Sequence, residues 1–267
     1  MTIIDRSAAF LRPTLMVSRC LNQENCRYNG EILKDLSLEI LKDFFHLEFI
    51  CPETEIGMPT PRPPIRIILE KGKADLIQPS TSKSFLEPMK SFTRRRLEHI
   101  QTIDGFFMKA RSPSCGVYDT PRFKMKLGDE EHDQGAGVFS GLALEKFPHL
   151  PFIDEHRIKI KRYRDSFFTA CFASAKLRHP STNLRDFHQE YQLLYKFRDR
   201  TLISTLENLL LTGDRTSYQN LSLSILNQPE NDVLREEWEN ECQEKSISKG
   251  DHHGLSRLLN PYPEALR

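Results

Sequence analysis

Three short apolar stretches in the first half of the chain each lead into a turn that carries a cysteine. The stretches predict β-strands at residues 15–17, 49–50 and 106–108, with helical patterns between them. The cysteines that follow these strands are Cys20, Cys51 and Cys115. In an open parallel sheet, side chains at the carboxyl ends of the strands converge on one crevice. We therefore expect three cysteines that are distant in sequence to meet at one point.

The rest of the first half alternates between strands and helices, and the second half is helical. Apolar spacing predicts helices at 32–45, 85–103 and 135–147 and a further strand at 65–69. After a change in composition near 152–157, helices follow with breaks at 179–182 and 212–214. We predict an α/β protein, in which a Rossmann-like domain with a parallel sheet (1–155) precedes a small all-helical domain (156–267).

The composition indicates the cellular compartment and the kind of binding partner that we expect. A net charge of +1 does not by itself indicate a polyanionic binding partner. Six cysteines in 267 residues are too few for a disulfide scaffold, and Asp5 and Arg6 interrupt the apolar run of a secretory signal. No stretch approaches the roughly 18–20 apolar residues of a membrane span. We expect a cytoplasmic protein without a membrane partner, whose thiolates can bind metal; its oligomeric state is left open.

A single cysteine at a strand end is most often a small buried apolar residue. Three at equivalent strand ends, each followed by turn residues, instead indicate an iron–sulfur or metal site with one open coordination position. Cys26 lies near Cys20 and is either a spare or resolving thiol or an ordinary residue, and we favour the latter. Cys171 is predicted to lie in the core and Cys242 on the surface.

Polar residues beside the cysteines are candidates for acid–base chemistry. Glu53 and Glu55 follow Cys51, and a carboxylate there can act as a general base or acid; a solvated loop carboxylate is the alternative. Ser114 precedes Cys115. It either supplies a hydroxyl group to the same pocket or is an ordinary serine of the turn.

Three further residues near the cysteines are candidates for binding a planar polar ligand, namely Arg27, Tyr28 and Arg62. Arginines in such loops also cap carbonyl groups or lie in water. Arg62 belongs to a loop at 52–64 whose prolines fix the backbone, so we expect this loop to form a rigid wall.

Basic and aromatic residues are interleaved between residues 156 and 200. This segment contains eleven Lys and Arg against four acidic residues, with eight aromatic rings. Single-stranded nucleic acids are held by stacking on aromatic rings and by Arg and Lys contacts to phosphate, so the segment is a candidate RNA-binding surface. A helical pair with a solvated basic face explains the same pattern. The residues we assign to phosphate contacts are Arg157, Lys161, Arg164 and Lys196.

The turns around the three cysteines carry the blocks SRCLNQENCRYNG, ICPETEIGMPTPRPPIRI and KARSPSCGVYD. Together and in this order, they resemble the signature blocks of the thiouracil desulfidase (TudS-like) family, over about residues 12–155. The second half, from LRDFHQEYQLLY to LNPYPEAL, is similar to the YbgA-type domain that accompanies this domain in bacterial proteins. Such fusions are implicated in removing sulfur from 4-thiouridine in tRNA. Asn22 stands where many relatives have glycine.

The resemblance implies a [4Fe-4S] cluster held by Cys20, Cys51 and Cys115, with one iron left open to the sulfur of the substrate. It also implies catalytic roles for Glu53 and Ser114, with Glu55 left open as the alternative carboxylate. The expected reaction is redox-neutral desulfuration of a thiolated uracil, which replaces C=S by C=O and releases hydrosulfide. We place 4-thiouridine in tRNA first and free thiouracil second. The alternative class is a non-enzymatic RNA-binding or redox-sensing protein with a structural cluster, which normally has four protein ligands.

Overall fold

The computed structural model describes residues 11–34, 36–124 and 131–229, together with Asn231, Val233 and Glu236. The strands of these residues are β1 (Thr14–Ser18), β2 (His46–Ile50), β3 (Arg66–Glu70), β4 (Lys73–Gln78), β5 (Lys83–Ser84), β6 (Gly105–Met108), β7 (Thr120–Lys124), β8 (Glu131–Gly135) and β9 (Phe152–Asp154). The helices are α1 (Leu36–Leu41), α2 (Pro52–Glu55), α3 (Leu86–Glu98), α4 (Val138–Lys146), α5 (Lys161–Arg178), α6 (Leu184–Asp199), α7 (Ile203–Thr212) and α8 (Arg215–Leu226).

Four parallel strands form the first sheet, in the order β2-β1-β6-β9. β1 pairs with β2 on one side and with β6 on the other, and β6 also pairs with β9. All residues of β1, β6 and β9 are buried, as expected for a parallel sheet that is covered on both faces. The predicted α/β class with a parallel sheet is confirmed. Because the four strands run in the same direction, their carboxyl ends share one edge.

A second sheet, in the order β5-β4-β3-β7-β8, contains the strand predicted at 65–69. Its β3–β4 and β7–β8 pairs are antiparallel, and only β3 and β7 run parallel. Lys71 and Gly72 between β3 and β4 both have positive φ, 49° and 77°, which is the geometry of a tight hairpin turn. The turn pairs β3 with β4, and β3 belongs to this mixed sheet and not to the parallel one.

The helices of the first half are shorter than the apolar patterns predict. The helix predicted at 32–45 is observed only as α1, because Leu33 forms an isolated bridge with Leu21 and its amide donates to Cys20 O. The helix predicted at 85–103 is observed as α3. The helix predicted at 135–147 is observed as α4, and Gly135 belongs to β8 instead.

The described part of the second half is helical from Lys161 to Leu226, and its breaks lie where they were predicted, between α5 and α6 and between α7 and α8. A 3₁₀ turn at Arg200–Leu202 adds a break that the pattern did not indicate. The Asp199 side chain accepts a hydrogen bond from the amide of Thr201 at this turn. Among the described residues, no helix is long and apolar enough to cross a membrane.

The parallel sheet and the helices share one hydrophobic core. Phe106 of β6 belongs to the same buried cluster as Ala173 of α5 and Tyr191 of α6. Cys171 is fully buried in α5, as predicted, and a Cβ added at Gly105 would lie only 2.7 Å from its sulfur. The α5 helix therefore packs directly on β6. The domain boundary between residues 155 and 156 stays a prediction, and Cys242 lies outside the described residues.

A buried carboxylate joins the same two parts of the chain. Asp104 is fully buried and accepts hydrogen bonds from Thr14 N (2.8 Å), Ser174 Oγ (2.9 Å) and Arg178 Nη2 (2.7 Å). These partners satisfy the buried charge, and they link the beginning of the sheet to α5 at the edge opposite the carboxyl ends.

Candidate active site

The three predicted cysteines lie at the carboxyl edge of the parallel sheet. Cys20 follows β1 by two residues, Cys51 follows β2 directly, and Cys115 lies in the turn after β6. Since β1 lies between β2 and β6, the three turns are neighbours. A cavity of about 340 Å³ at this edge is lined by all three cysteines.

The turn after β1 is held by backbone hydrogen bonds to both sides. Arg19 N donates to Ile50 O at 2.8 Å, which ties the turn to the end of β2. Asn22 has φ of 60°, in the left-handed region that glycine and asparagine tolerate best. The asparagine thus adopts a backbone conformation that glycine would also accept.

The turn that carries Cys115 rests on the amino terminus of α4. Phe139 N donates to Ser114 O at 2.9 Å, and Ser140 Oγ donates to Cys115 O at 2.6 Å. A Cβ added at Gly137 would lie only 2.6 Å from Ser114 O and 2.7 Å from Ser112 O. The backbone approaches so closely that only glycine fits here.

Cys26 is a fourth cysteine of the cavity, although the sequence favoured an ordinary residue over a spare or resolving thiol at this position. It is buried and lines the cavity, and its thiol hydrogen-bonds with those of Cys20 and Cys51. Its position in the same turn as Cys20 was the available signal. Four thiols are therefore gathered where three were predicted, which meets the ligand count of a structural cluster as well as that of an open one.

Three of these thiols, those of Cys26, Cys51 and Cys115, have a raised pKa in this arrangement. The hydrogen bond with Cys20 raises the pKa of Cys26 to about 11. The hydrogen bond with Cys26 and then burial raise the pKa of Cys51, and burial followed by the proximity of Cys51 raises that of Cys115. Metal binding to these side chains would therefore release protons.

The chemistry of these side chains fits an iron–sulfur group. Within the part of the chain that the structure describes, no set of three or more Cys, His, Asp and Glu side chains is arranged around a position for a single ion. The ligands of a cluster bind different metal atoms and need not surround one point. Several soft thiols in one small cavity match the ligands that iron–sulfur clusters use.

Glu53 lines the cavity and contacts Ser114, which is not among the described residues that line it. Ser114 Oγ donates to Glu53 Oε1 at 2.9 Å, and Ser114 is fully buried. Both glutamates of the sequence CPETE lie in the single-turn helix α2, where residues two positions apart point in opposite directions. Glu53 lines the cavity, whereas Glu55 pairs with Arg19 at 2.6 Å and is not among the described residues that line it.

The three residues proposed for ligand binding also line the cavity, but their surroundings differ. Tyr28 is 45% exposed, and Arg27 lies over its ring at 5.8 Å and pairs with Glu31 at 3.1 Å. Arg62 is buried and contacts Glu53 at 2.6 Å. Tyr28 and Arg27 are thus accessible, whereas Arg62 belongs to the wall.

Lys109 is a further charged residue of the cavity that the sequence did not single out. It pairs with Glu155 at 2.5 Å, and Glu155 also accepts a hydrogen bond from Ala110 N at 2.7 Å. Glu155 directly follows β9, so these contacts link the turn after β6 to the beginning of the basic segment.

The four residues predicted to contact RNA do not form one group. Arg157 follows β9 and stacks on Tyr118, with its guanidinium carbon 3.5 Å from the ring centre. Lys161 pairs with Asp165, and Arg164 lies 3.9 Å from the same carboxylate. Lys196 is exposed on α6. Arg157 and the start of α5, with Lys161 and Arg164, thus follow the sheet edge that carries the cavity. Lys196 lies on another helix, α6.

The fold and the cavity define an α/β enzyme with a thiol-lined active site and an adjacent carboxylate–hydroxyl pair. The 2-thiouracil desulfurase family model matches residues 15–155, more than half of the 267 residues. The chain belongs to the 2-thiouracil desulfurase family, and it is a desulfidase.

Two individual proteins are similar to parts of the chain. The uncharacterized protein YbbK of Bacillus subtilis (strain 168) is 30% identical over 109 residues, which are 38% of this chain and 72% of YbbK. A solved structure of the [4Fe-4S]-dependent thiouracil desulfidase TudS is 21% identical, with a TM-score of 0.44 over 55% of this chain and 94% of that chain. The family assignment rests on the family model.

Proposed function

We propose that the protein removes sulfur from thiolated uracil in an iron–sulfur-dependent, redox-neutral reaction. The candidate substrate that we favour is 4-thiouridine in tRNA. One observation carries this proposal: a cavity of about 340 Å³ combines four thiols with a carboxylate that is hydrogen-bonded to a buried serine. Its volume is at the lower end of the range for small-molecule sites, which suits a single ring.

Cys20, Cys51 and Cys115 would hold a [4Fe-4S] cluster. They come from three neighbouring strand ends and are positioned by separate turns, so the sheet itself sets their spacing. When bound, the cluster would supply an open iron, a soft Lewis acid suited to a thiocarbonyl sulfur.

Glu53 and Ser114 would carry the proton transfer. Glu53 accepts a proton from the water that attacks the ring carbon, and Ser114 fixes the direction of its Oε1. The water oxygen becomes the new carbonyl oxygen, the C=S bond is broken and the sulfur leaves as hydrosulfide. One water is consumed, and no electron acceptor or donor is required.

Tyr28 and Arg27 would receive the base at the mouth of the cavity. The exposed Tyr28 ring offers a stacking surface for a pyrimidine, and the Arg27 guanidinium beside it offers hydrogen-bond donors for carbonyl groups. These contacts would orient the thiocarbonyl group toward the cysteines.

The tRNA substrate is supported by the basic segment that follows β9. This segment starts at the sheet edge that carries the cavity and contains Arg157, Lys161 and Arg164. The target base of the tRNA would have to leave its stack to enter the cavity. We propose that the helical region of residues 156–267, as a YbgA-type domain, contacts the phosphates of a cytoplasmic tRNA.

Free thiouracil is the second candidate substrate, because the small cavity suits an isolated base. Anaerobic incubation of the iron-loaded protein with thiolated tRNA and with free thiouracil, followed by nucleoside analysis, separates the two. Conversion of the tRNA nucleoside supports the proposal, and conversion of the free base alone assigns the small substrate. If neither substrate is converted by protein with its full iron and sulfide content, the proposed reaction is contradicted.

A further inference from the structure

Arg62 is enclosed by the cavity wall, and only 3% of its side chain is exposed. Its Nε and Nη2 approach Glu53 Oε2 at 2.8 and 2.6 Å, and Nη2 also donates to Cys26 O at 2.9 Å. Its Nη1 donates to Pro59 O at 3.0 Å and to Thr60 Oγ1 at 3.1 Å. Each of the three guanidinium nitrogens therefore has a partner within the protein: four of these contacts are hydrogen bonds, and the fifth is the ion pair of Nη2 with Oε2.

We propose that Arg62 is a positioning residue, which orients the Glu53 carboxylate instead of binding the substrate. This role rests on the proposed function, since it requires Glu53 to be the base. Because every guanidinium nitrogen of Arg62 has a partner within the protein and the side chain is enclosed, Arg62 is poorly placed to bind a ligand, in contrast to the accessible Tyr28.

The two oxygens of Glu53 have different partners. Arg62 holds Oε2 through two nitrogens, and Ser114 donates to Oε1. The helix α2 has four residues, too few to fix a flexible side chain by itself. The guanidinium therefore restricts the rotation of the carboxylate and leaves Oε1 to accept the hydrogen bond from Ser114.

Arg62 also ties the proline loop to the turn of the first cysteine. Its amide donates to Tyr28 O at 2.8 Å, and its side chain reaches Cys26 O. A truncation could thus disturb the fold as well as the carboxylate, so the test must separate these two effects.

A double-mutant cycle in kcat makes this separation. We expect Arg62→Ala to lower kcat by about tenfold or more with KM changed by less than about threefold. Since Arg62 acts through Glu53, adding Arg62→Ala to the Glu53→Gln variant should lower kcat further by less than about threefold. Arg62→Lys, or guanidinium ion added to Arg62→Ala, should restore part of kcat. A rise in KM at constant kcat would overturn the proposal in favour of substrate binding, and losses that multiply would reduce Arg62 to a structural role.

The thermal stability of the iron-free protein gives a readout that does not depend on activity. Arg62→Ala leaves a largely buried carboxylate without its partner, so the double variant with Glu53→Gln should melt about 2–4 °C above Arg62→Ala alone. Arg96→Ala is the matched control, because Arg96 pairs with Glu48 at 2.8 Å away from the cavity; Glu53→Gln should not raise its melting temperature. Additive melting shifts would overturn the coupling. A wild-type protein without desulfidase activity would instead refute the proposed function, with the coupling still measured.

Discussion

Ser114 Oγ donates a 2.9 Å hydrogen bond to Glu53 Oε1 across 61 positions of the sequence. The two residues follow β6 and β2, which are separated in the sheet by β1. Their contact therefore depends on the order of three strands and on the turns that continue them. It joins the two residues to which the family resemblance gave catalytic roles, and Glu53 lines the same cavity as the cysteines.

The first prediction concerns the cysteines. Cys20→Ser, Cys51→Ser and Cys115→Ser should each lower the bound iron and sulfide and abolish desulfidation, because a hydroxyl is a poor substitute for a thiolate on iron. Chemical analysis of iron and sulfide after anaerobic reconstitution measures this effect, with Cys242→Ser as the control. A full complement of iron and sulfide in any of the three variants would remove that cysteine from the ligand set.

The second prediction distinguishes the two glutamates. Glu53→Gln should retain the iron and sulfide and lower kcat by about 10²–10⁴-fold, the usual cost of losing a general base. Glu55→Gln should have little effect on kcat, because Glu55 points away to Arg19. Steady-state kinetics of both variants decide the question, and the reverse pattern would make Glu55 the base.

The third prediction concerns the basic segment. Reversing the charges of Arg157, Lys161 and Arg164 should weaken tRNA processing and flatten its dependence on salt, because fewer phosphate contacts release fewer counterions. Turnover of free thiouracil should change little. The Lys196→Glu variant, on α6, tests whether the contact surface extends along the helices. Equal losses with both substrates would show that these residues only stabilise the fold.

The fourth prediction compares two glycines at the beginning of α4. Gly137→Ala should destabilise the protein by about 1–3 kcal/mol, because the added Cβ would press on the backbone of the turn that carries Ser114. Gly141→Ala should stabilise it by about 0.5–1 kcal/mol, since its Cβ has room and lies within a helix. Urea unfolding of both variants measures the difference, and a neutral Gly137→Ala would contradict the close approach.

The fifth prediction concerns His188 of α6, which is partly buried against Tyr195 and Tyr218, with Glu207 nearby. Burial lowers the pKa of His188, so the unfolded state binds more protons than the folded state at mildly acidic pH. Stability should therefore fall as the pH decreases through about 6.5, the ordinary value for histidine. Unfolding in urea at a series of pH values should show a weaker fall for His188→Gln, and an unchanged fall would exclude this histidine as its source.

The cysteine turns show how far the sequence alone could lead. The strands before Cys20, Cys51 and Cys115 were predicted from short apolar runs, because strands of a buried parallel sheet are apolar on both faces. The general rule for such sheets then placed the three turns at one edge. Both steps use local patterns together with one topological rule, so they need no knowledge of side-chain contacts.

Cys26 and Arg62 show where the sequence was insufficient. The direction of a side chain in an irregular turn depends on backbone angles that distant hydrogen bonds fix, such as Arg62 N to Tyr28 O. Sequence spacing therefore could not show that the Cys26 thiol lies beside those of Cys20 and Cys51 or that Arg62 is enclosed by the protein. Of the second sheet only β3 was predicted, since strands such as β4 and β7 are partly exposed and lack long apolar runs.

The sequence by itself determined the α/β class, the helical second half and the three cysteine turns, because these follow from the periodicity of apolar residues and from turn chemistry. Only the tertiary structure decided which glutamate faces the cavity, which thiol joins the other three and which arginine is enclosed. A helix of one turn directs Glu53 inward and Glu55 outward, and long-range packing then gives each of them its partner. Such contacts arise when separate turns are brought to one edge of the sheet, so no local pattern records them.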